Sequence, residues 1–408
     1  MGDWRISTWG QEISLEYGKS LRDYDETNGR YRVYGSNGPI GWTDSALAPG
    51  PGVILGRKGA YRGVEYSPAP FFVIDTAYYV VPKSEIDIRW LYYAIKYHKL
   101  GEIDDGSPIP STTRSAVYVR NLEIPPLVEQ KAIAAVLGAL DDKIELNQRM
   151  NATLEAMARA MFLSWFVDFD PVRAKLDGRH PTALDPATAA LFPAYFQDSE
   201  LGHIPAGWRV TTIDETCQAI FSGGTPSTKE ATYWGGNIPW LSSGETRSTF
   251  IIDTEKTITK AGVENSSARV ARAGCTVIAG AGQGHTRGQT SLLTFESYIN
   301  QSVVALASNP EVSSDLFLFF DLARRYEEFR QLSDSHSSRG SLTTKLLAGV
   351  KCVLPPHELV IAFERAARPL ASQITANLHQ SRTLATLRDT LLPKLLSGEL
   401  GVATEVFK

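Results

Sequence analysis

One glycine-rich segment in the second half of the chain comes nearest to a cofactor-binding motif. Gly280-Ala281-Gly282-Gln283-Gly284-His285 follows an apolar run typical of a strand, and its glycines would let the backbone approach a ligand closely. The segment lacks the G-x-G-x-x-G spacing of dinucleotide sites and the G-x-x-x-x-G-K-[ST] signature of a P-loop, and no helical pattern follows it. We therefore interpret it as a flexible loop rather than a nucleotide site.

Sequence patterns for other chemistry are absent as well. No His-Glu-x-x-His or paired Cys-x-x-Cys spacing supports a metal site, and the seven histidines are dispersed. The two Pro-Pro pairs lie in Ile124-Pro125-Pro126 and Leu354-Pro355-Pro356, so neither forms the Asn/Asp-Pro-Pro-aromatic motif of an amino-methyltransferase. The sequence therefore predicts a chain without catalytic residues, metal or cofactor of its own.

The two Pro-Pro pairs mark an internal repeat with an offset of 230 residues. Each pair precedes a long stretch in which apolar positions are spaced alternately by four and three, as in helices that pack through a coiled-coil seam. The first seam is Ile133, Leu137, Leu140, Ile144, Asn147, Asn151, Leu154, Ala158, Met161 and Trp165. The second is Phe363, Ala367, Leu370, Ile374, Asn377, Ser381, Leu384, Arg388, Leu391 and Leu395. Asn147 and Asn377 interrupt both seams at the same place, which predicts a polar contact that fixes register.

Length and composition indicate more than one domain. The chain has 408 residues, of which 43% are hydrophobic and 21% charged, as in soluble globular proteins. No stretch approaches the roughly 18 apolar residues of a membrane span, and the N-terminal residues show no apolar run of signal-peptide length. The three cysteines are scattered, which favours reduced thiols in a cytoplasmic protein. The net charge of -4 argues against simple, global nucleic-acid binding but leaves room for local basic loops.

The chain is organised as domain, helix, domain, helix. We predict a mixed α/β domain over residues 1–126, a helix over 127–166, a linker over 167–199, a second domain over 200–356 and a second helix over 357–400. In the first domain we expect strands near 31–34, 53–55 and 71–81 and a helix over 88–100. The second domain repeats the first, since Gly207-Trp208-Arg209-Val210-Thr211 echoes Asp3-Trp4-Arg5-Ile6-Ser7. The segment Gly52-Val53-Ile54-Leu55-Gly56 likewise resembles Cys275-Thr276-Val277-Ile278-Ala279-Gly280.

These motifs resemble those of the specificity subunit of type I restriction-modification systems over nearly the whole chain. The most distinctive run is Ser164-Trp165-Phe166-Val167-Asp168-Phe169-Asp170-Pro171-Val172. The helix start at Ile124-Pro125-Pro126-Leu127 and the helix end at Leu391-Leu392-Pro393-Lys394-Leu395-Leu396-Ser397-Gly398 are also similar to the family. In the second domain, Gly223-Gly224-Thr225-Pro226-Ser227 and Tyr233-Trp234-Gly235-Gly236-Asn237-Ile238-Pro239-Trp240 resemble a common target-recognition variant. One departure is His357-Glu358-Leu359, which replaces the usual Pro-x-x-Glu-Gln start of the second helix.

The resemblance implies a non-catalytic DNA reader of α+β fold, with two target-recognition domains separated by two long antiparallel helices. Each domain would read one half of a bipartite, asymmetric site in double-stranded DNA, and the helices would set the spacer between the halves. Two modification subunits, which are adenine methyltransferases using S-adenosylmethionine, would dock on the helices. Restriction subunits that use ATP and Mg would join the complex. The alternatives are a coiled-coil scaffold protein that reads no DNA, and an enzyme with an unrecognised site.

Candidate DNA contacts are polar side chains in the glycine-rich loops, because arginine favours guanine, and asparagine or glutamine favours adenine. In the first domain they are Lys19, Arg30, Arg32, Asn37, Arg57, Lys58, Tyr61, Arg62 and Arg114. In the second they are Thr225, Ser227, Lys229, Trp240, Ser242, Arg247, Gln283, His285, Arg287, Gln289 and Arg339. The Arg57-Lys58 loop and the Gln283-to-Arg287 loop rank first, because they follow equivalent strands. For each residue alone, a solvated loop side chain remains the alternative.

Overall fold

The two halves of the repeat lie in two structural units of a computed structural model, which describes residues 4–104, 106, 110–282, 285–336 and 341–405. Unit 1 consists of Met1–Leu146 and Ser381–Lys408, and unit 2 is Asn147–Gln380. Each unit therefore contains one globular domain and parts of both long helices.

The first domain is formed by strands that build two sheets and one strand pair. Its elements are β1 (Arg5–Thr8), α1 (Trp9–Glu12), β2 (Ile13–Tyr17), β3 (Tyr31–Gly35), β4 (Gly38–Thr43), β5 (Gly52–Gly56), β6 (Val64–Ser67), β7 (Phe71–Val73), β8 (Ala77–Pro82), α2 (Ile88–Tyr97), α3 (Arg114–Tyr118) and β9 (Asn121–Ile124). The strand orders are β2-β8-β5-β6, β4-β3-β7 and β1-β9. Its main core packs the β2-β8-β5-β6 sheet and β9 against α2 around Trp9 and Trp90, which are fully buried. A smaller core joins that sheet to β3 and β7.

A 40-residue helix and a short linker region follow the first domain. They comprise α4 (Leu127–Phe166), α5 (Asp170–Leu176), α6 (Pro186–Ala190), β10 (Phe196–Ser199) and β11 (Gly202–Pro205). Strands β10 and β11 pair with each other in antiparallel orientation. The observed bounds of α4 coincide with the range expected from the seam pattern.

The second domain and the last helix complete the chain. Their elements are β12 (Arg209–Thr212), α7 (Ile213–Thr216), β13 (Cys217–Ser222), β14 (Trp234–Leu241), β15 (Phe250–Ile251), β16 (Lys256–Ile258), α8 (Lys260–Glu264), β17 (Arg269–Ala271), β18 (Thr276–Ala279), β19 (Thr290–Leu293), β20 (Ser297–Ile299), β21 (Val303–Ser308), α9 (Asp315–Ala323), α10 (Tyr326–His336), α11 (Thr344–Ala348), β22 (Lys351–Leu354) and α12 (His357–Leu396). The sheets run β13-β21-β18-β19-β15 and β16-β14-β20-β17, and β12 pairs with β22.

Strand pairing shows that the two domains have the same fold. The order β13-β21-β18-β19 repeats β2-β8-β5-β6, and the pair β12–β22 repeats β1–β9. Strand β14 pairs antiparallel with β16 and parallel with β20, as β3 does with β4 and β7. The predicted mixed α and β fold with an internal repeat is therefore confirmed.

Two elements of the first domain end earlier than their sequence patterns indicate. The apolar run 71–81 is divided by a turn, in which the Ala77 amide donates to the Ile74 carbonyl at 3.1 Å. The two parts consequently join different sheets, as β7 and β8. Helix α2 stops at Tyr97 because Lys99 takes a left-handed conformation, with φ of 51°, which ends a helix.

The seam prediction agrees with the burial of both long helices. None of the twenty predicted seam residues is exposed. In unit 2 the polar interruption is a hydrogen-bonded layer: Asn377 donates to the Asn151 amide oxygen at 2.8 Å, and Asn147 donates to Gln380 at 2.9 Å. Because a shifted register would bury these amides against apolar side chains, the layer specifies one antiparallel alignment of the helix segments in this unit.

Arg388, a charged residue in the predicted seam, is matched by a carboxylate in unit 1. Its Nη1 donates to Asp141 at 2.7 Å, and the hydroxyl of Tyr93 donates to the other oxygen of Asp141 at 2.6 Å. Arg89 of α2 donates to both oxygens of the neighbouring Asp142. These contacts tie α2 to α4 and α12 within this unit.

A buried carboxylate at the start of the first domain makes stability depend on pH. Glu12 is 4% exposed and accepts hydrogen bonds from Arg5, Ser7 and Ser84. The Arg5 guanidinium is the largest cause that lowers the pKa of Glu12 to about 2, from an ordinary value of 4.5. The folded state is therefore stabilised above the unfolded pKa, and this contribution is lost as pH falls through the folded pKa.

Glu12→Gln is expected to lower the free energy of unfolding by about 1.5–3 kcal/mol near neutral pH, the range for hydrogen bonds to charged groups. The difference from wild type should shrink between about pH 4.5 and pH 2, where protonation removes the same charge. Denaturant unfolding of both proteins at several pH values measures this difference in the free energy of unfolding. Glu102→Gln, at a carboxylate whose side chain is 70% exposed, is the control. A loss that is equal at all pH values would contradict the prediction.

Candidate nucleic-acid interface

In the first domain, two arginines predicted from the sequence converge on two tyrosines that were not predicted. The guanidinium carbon of Arg114 lies 4.2 Å from the centroid of the Tyr17 ring, and that of Arg57 lies 5.1 Å from it. The Tyr17 ring packs at 5.1 Å on the ring of Tyr78, which is 2% exposed, whereas Tyr17 is 48% exposed. Position at the end of β2, directly before Gly18, is the sequence signal that could have identified Tyr17.

Backbone carbonyls hold both guanidinium groups in place. Arg57 Nη2 donates to the Asp75 carbonyl at 2.8 Å, and Arg114 Nε donates to the Leu15 carbonyl at 2.6 Å. Arg114 also lies 3.5 Å from the Glu16 carboxylate. Burial raises the pKa of Tyr78 to about 12, so its phenol remains neutral at physiological pH. The cluster is therefore ordered before any ligand arrives.

The remaining first-domain candidates separate into exposed and internally bonded residues. The exposed ones are Lys19, Arg30, Asn37, Lys58 and Tyr61. Arg32 is half-buried, with its guanidinium 4.6 Å from the Trp42 ring. Arg62 donates to the carbonyls of Gly59, Gly101 and Ile103, so it would have to break internal bonds to contact DNA.

In the second domain, the prediction that Trp240 contacts DNA is wrong, because the structure buries its side chain. Its side chain is 4% exposed, and its indole N–H donates to the Gly224 carbonyl at 3.1 Å. Trp240 therefore supports the glycine-rich loop from inside the domain instead of facing DNA. In that loop, Ser227 and Lys229 are exposed. Thr225 is half-buried, and its hydroxyl donates a hydrogen bond to the Gln301 side chain.

Two further second-domain candidates have local partners. Ser242 caps the short 3₁₀ helix Ser243–Arg247 and shares a capping box with Glu245. Arg247 is exposed and forms an ion pair with Glu255 at 3.2 Å. Such an exposed pair contributes little to stability, so the Arg247 guanidinium can exchange its partner at small cost.

In the loop between β18 and β19, the arginine that the sequence predicted to contact DNA is largely buried and paired. Arg287 is 12% exposed in its side chain and pairs with Asp334 of α10. His285 is exposed, and Gln289 is half-buried. Gln283 and Arg339 lie outside the described residues.

Backbone hydrogen bonds show which residues of the two loops are equivalent. The Arg57 amide donates to Thr76, and the Arg57 carbonyl accepts from Thr112. Gly280 makes the same two contacts in the second domain, with Ser302 and Leu342. The loops follow equivalent strands, as predicted, but Arg57 corresponds to Gly280 and not to Arg287.

Cys275 and Cys352 are buried and Cys217 is half-buried, as is typical of structural residues. Cys217, Cys275 and Cys352 are free. Burial raises the pKa of Cys275 to about 11 and the pKa values of the other two to about 12, which disfavours the thiolate form. Across the described ranges, His, Cys, Asp and Glu side chains form no group of three or more suited to a metal ion. None of the helices among those residues is both long and apolar enough to span a bilayer.

Comparison with known proteins identifies the repeated unit. A family model described as a type I restriction modification DNA specificity domain matches residues 3–156 and again residues 205–359. The type I restriction enzyme HindI specificity subunit of Haemophilus influenzae is 25% identical over 378 residues, which cover 81% of each chain. The MjaIX specificity subunit of Methanocaldococcus jannaschii is 22% identical over 97% of this chain and 88% of its own length.

A solved structure shares the fold. The S subunit of a type I restriction-modification system from M. genitalium aligns over 96% of both chains, with a TM-score of 0.62 and 19% identity. The two family matches cover more than half of the chain and coincide with the two halves of the repeat. This chain therefore belongs to the family of type I restriction-modification DNA specificity domains, of which it contains two.

Proposed function

We propose that this chain gives a type I restriction-modification complex its DNA sequence specificity and has no catalytic activity of its own. Each domain reads one half of a bipartite, asymmetric site in double-stranded DNA. The observation that carries this proposal is the presence of two specificity domains with one strand order but different loop side chains. Two domains that share one fold but present different hydrogen-bond donors and acceptors can read two different half-sites.

The long helices set the spacer between the half-sites and dock two modification subunits. Exposed apolar side chains along the helices support docking: Val136 is 41% exposed, Met157 53% and Leu387 45%. S-adenosylmethionine belongs to the modification subunits, and ATP with Mg belongs to the restriction subunits that join them. The complex works in the cytoplasm.

A coiled-coil scaffold protein without DNA reading is the competing function. The helix seam alone would be sufficient for a scaffold, because packing of the two helices requires no particular side chains in the loops. That function gives no reason for cationic and aromatic side chains to gather at the loops of the first domain. Sequence-specific methylation distinguishes the two functions.

The purified chain alone is expected neither to cut nor to methylate DNA, because its sequence carries no signature of either activity. Together with the modification subunits of its source organism and S-adenosylmethionine, it should direct adenine methylation to one discontinuous sequence. Sequencing that detects modified bases measures this, and modification subunits without the chain are the control. Turnover by the chain alone, or methylation that is independent of the chain, would contradict the proposal.

A further inference from the structure

The two domains of this chain serve as comparison structures for each other at the arginine–tyrosine cluster. Tyr17 faces Tyr78 across β2 and β8, as Ser222 faces Val304 across β13 and β21. The structural equivalents of Tyr17, Arg57, Tyr78 and Arg114 are Ser222, Gly280, Val304 and Thr344. The second domain forms the same fold with none of the four side chains, so the fold does not require the cluster.

The cluster has more positive than negative charge. Glu16 is the one carboxylate within 4 Å of either guanidinium group among the described residues, and its side chain is 42% exposed. Lys19 follows β2 and Lys58 follows Arg57 in the chain, and both are exposed. Two guanidinium groups on one pair of rings repel each other, and a bound anion would relieve that repulsion.

The hydrogen bonds already made by the two arginines indicate whether they suit a base or a phosphate of DNA. Arg114 gives its Nε to the Leu15 carbonyl, and Arg57 gives Nη2 to the Asp75 carbonyl. An arginine that reads guanine uses two adjacent N–H groups as a fork. Arg114 Nη2 lies 3.5 Å from Glu16, and Arg57 Nε is buried, so Nη1 is the accessible nitrogen of each guanidinium that has no partner among the described residues. Single charged N–H donors suit the oxygens of a phosphate, the group that receives most protein contacts in DNA complexes.

We propose that Arg57 and Arg114, held on the ring pair of Tyr17 and Tyr78, bind a backbone phosphate of the half-site read by the first domain. Tyr17 is the positioning residue, because both guanidinium groups lie within 5.1 Å of its ring. The second domain has no such phosphate site at the equivalent position. This inference rests on the proposed function, since it names one contact within it.

Arg57→Gln and Arg114→Gln test the phosphate site in the full chain assembled with its modification subunits. Fluorescence anisotropy measures binding to the recognised duplex and to an unrelated duplex at several salt concentrations. The double variant should weaken binding to both duplexes by about eightfold at roughly 0.1 M salt, and lower the slope of log affinity against log salt by about 0.9, because one phosphate contact is lost. Each single substitution should cause part of this loss and a smaller change of slope, because the other arginine still contacts the phosphate.

Substitution of Tyr17 separates positioning from a merely structural role. Tyr17→Phe keeps the ring and should retain affinity, whereas Tyr17→Ser, the residue of the second domain, should weaken binding and reduce the salt slope like an arginine variant. Thermal unfolding of each variant should match wild type, because Tyr17 is half-exposed. Tyr195→Ser is the matched control, at a tyrosine 64% exposed in the linker region.

Several outcomes would overturn this inference while leaving the proposed function intact. Unchanged affinity and salt slope in both arginine variants would do so. A loss confined to the recognised duplex, with an unchanged slope, would also do so because it indicates a base contact. Failure of the wild-type complex to prefer any duplex would instead contradict the proposed function itself.

Discussion

Exchange of residues 209–354 for the corresponding domain of a relative is expected to replace one half of the recognised DNA sequence and leave the other half unchanged. The chain enters this domain through β12 and leaves it through β22, and Arg209 lies opposite Leu354 in that strand pair. The domain is thus connected to the rest of the chain at one place. Sequencing of methylated sites in cells that carry the exchanged chain measures the result.

The reciprocal exchange is its matched control. Residues 5–124 of the first domain begin and end in the same kind of strand pair, in which Arg5 lies opposite Ile124. Exchange of this domain should change the other half-site alone. If either exchange altered both half-sites together, the two domains would not read DNA independently.

Phe363→Ala is expected to lower the free energy of unfolding by about 3–5 kcal/mol, the range for removal of a fully buried phenylalanine. Phe363 of α12 is 0% exposed and touches the rings of Phe162, Trp165 and Phe166 of α4 and of Phe320 of α9. This aromatic cluster joins the second domain to both helices within unit 2. The alanine variant loses contacts with four rings at once, and guanidinium unfolding measures the cost.

Ile361→Ala provides the control on the same helix. Ile361 lies two residues before Phe363 and is 38% exposed, so its truncation should change the free energy of unfolding by about 0.5 kcal/mol or less. Equal effects of the two substitutions would show that the aromatic cluster does not carry the stability of unit 2.

Elements with a long periodic pattern were predictable from the sequence. The seam positions of both helices repeat over more than four heptads, and local periodicity was enough to place α4. Asn147 and Asn377 were recognisable as a polar layer because each breaks an apolar pattern at the same phase. The partner Gln380 was not, since it lies outside the seam positions.

The candidate site was less predictable because its contacts join residues that are distant in the chain. Arg287 follows the expected strand, yet Asp334, 47 residues later, pairs with it. The indole of Trp240 donates to the carbonyl of Gly224, 16 residues earlier. Nothing in the local pattern around Arg57 or Arg114 reveals that both lie on Tyr17. Residue type therefore identified the basic loops, while only tertiary structure assigned each side chain its neighbours.

The division of the chain between the units has a consequence for its synthesis on the ribosome. Unit 2 is one continuous segment, whereas unit 1 needs residues from both ends of the chain. Leu395 and Leu396 are buried in the core that contains Trp9 and Ile133, and Trp4 packs against the same core. Domains commonly complete their folding in order of synthesis, from the N-terminal one onward. Here we expect the order to be reversed, because the half made first keeps part of its apolar core open until α12 has been synthesised.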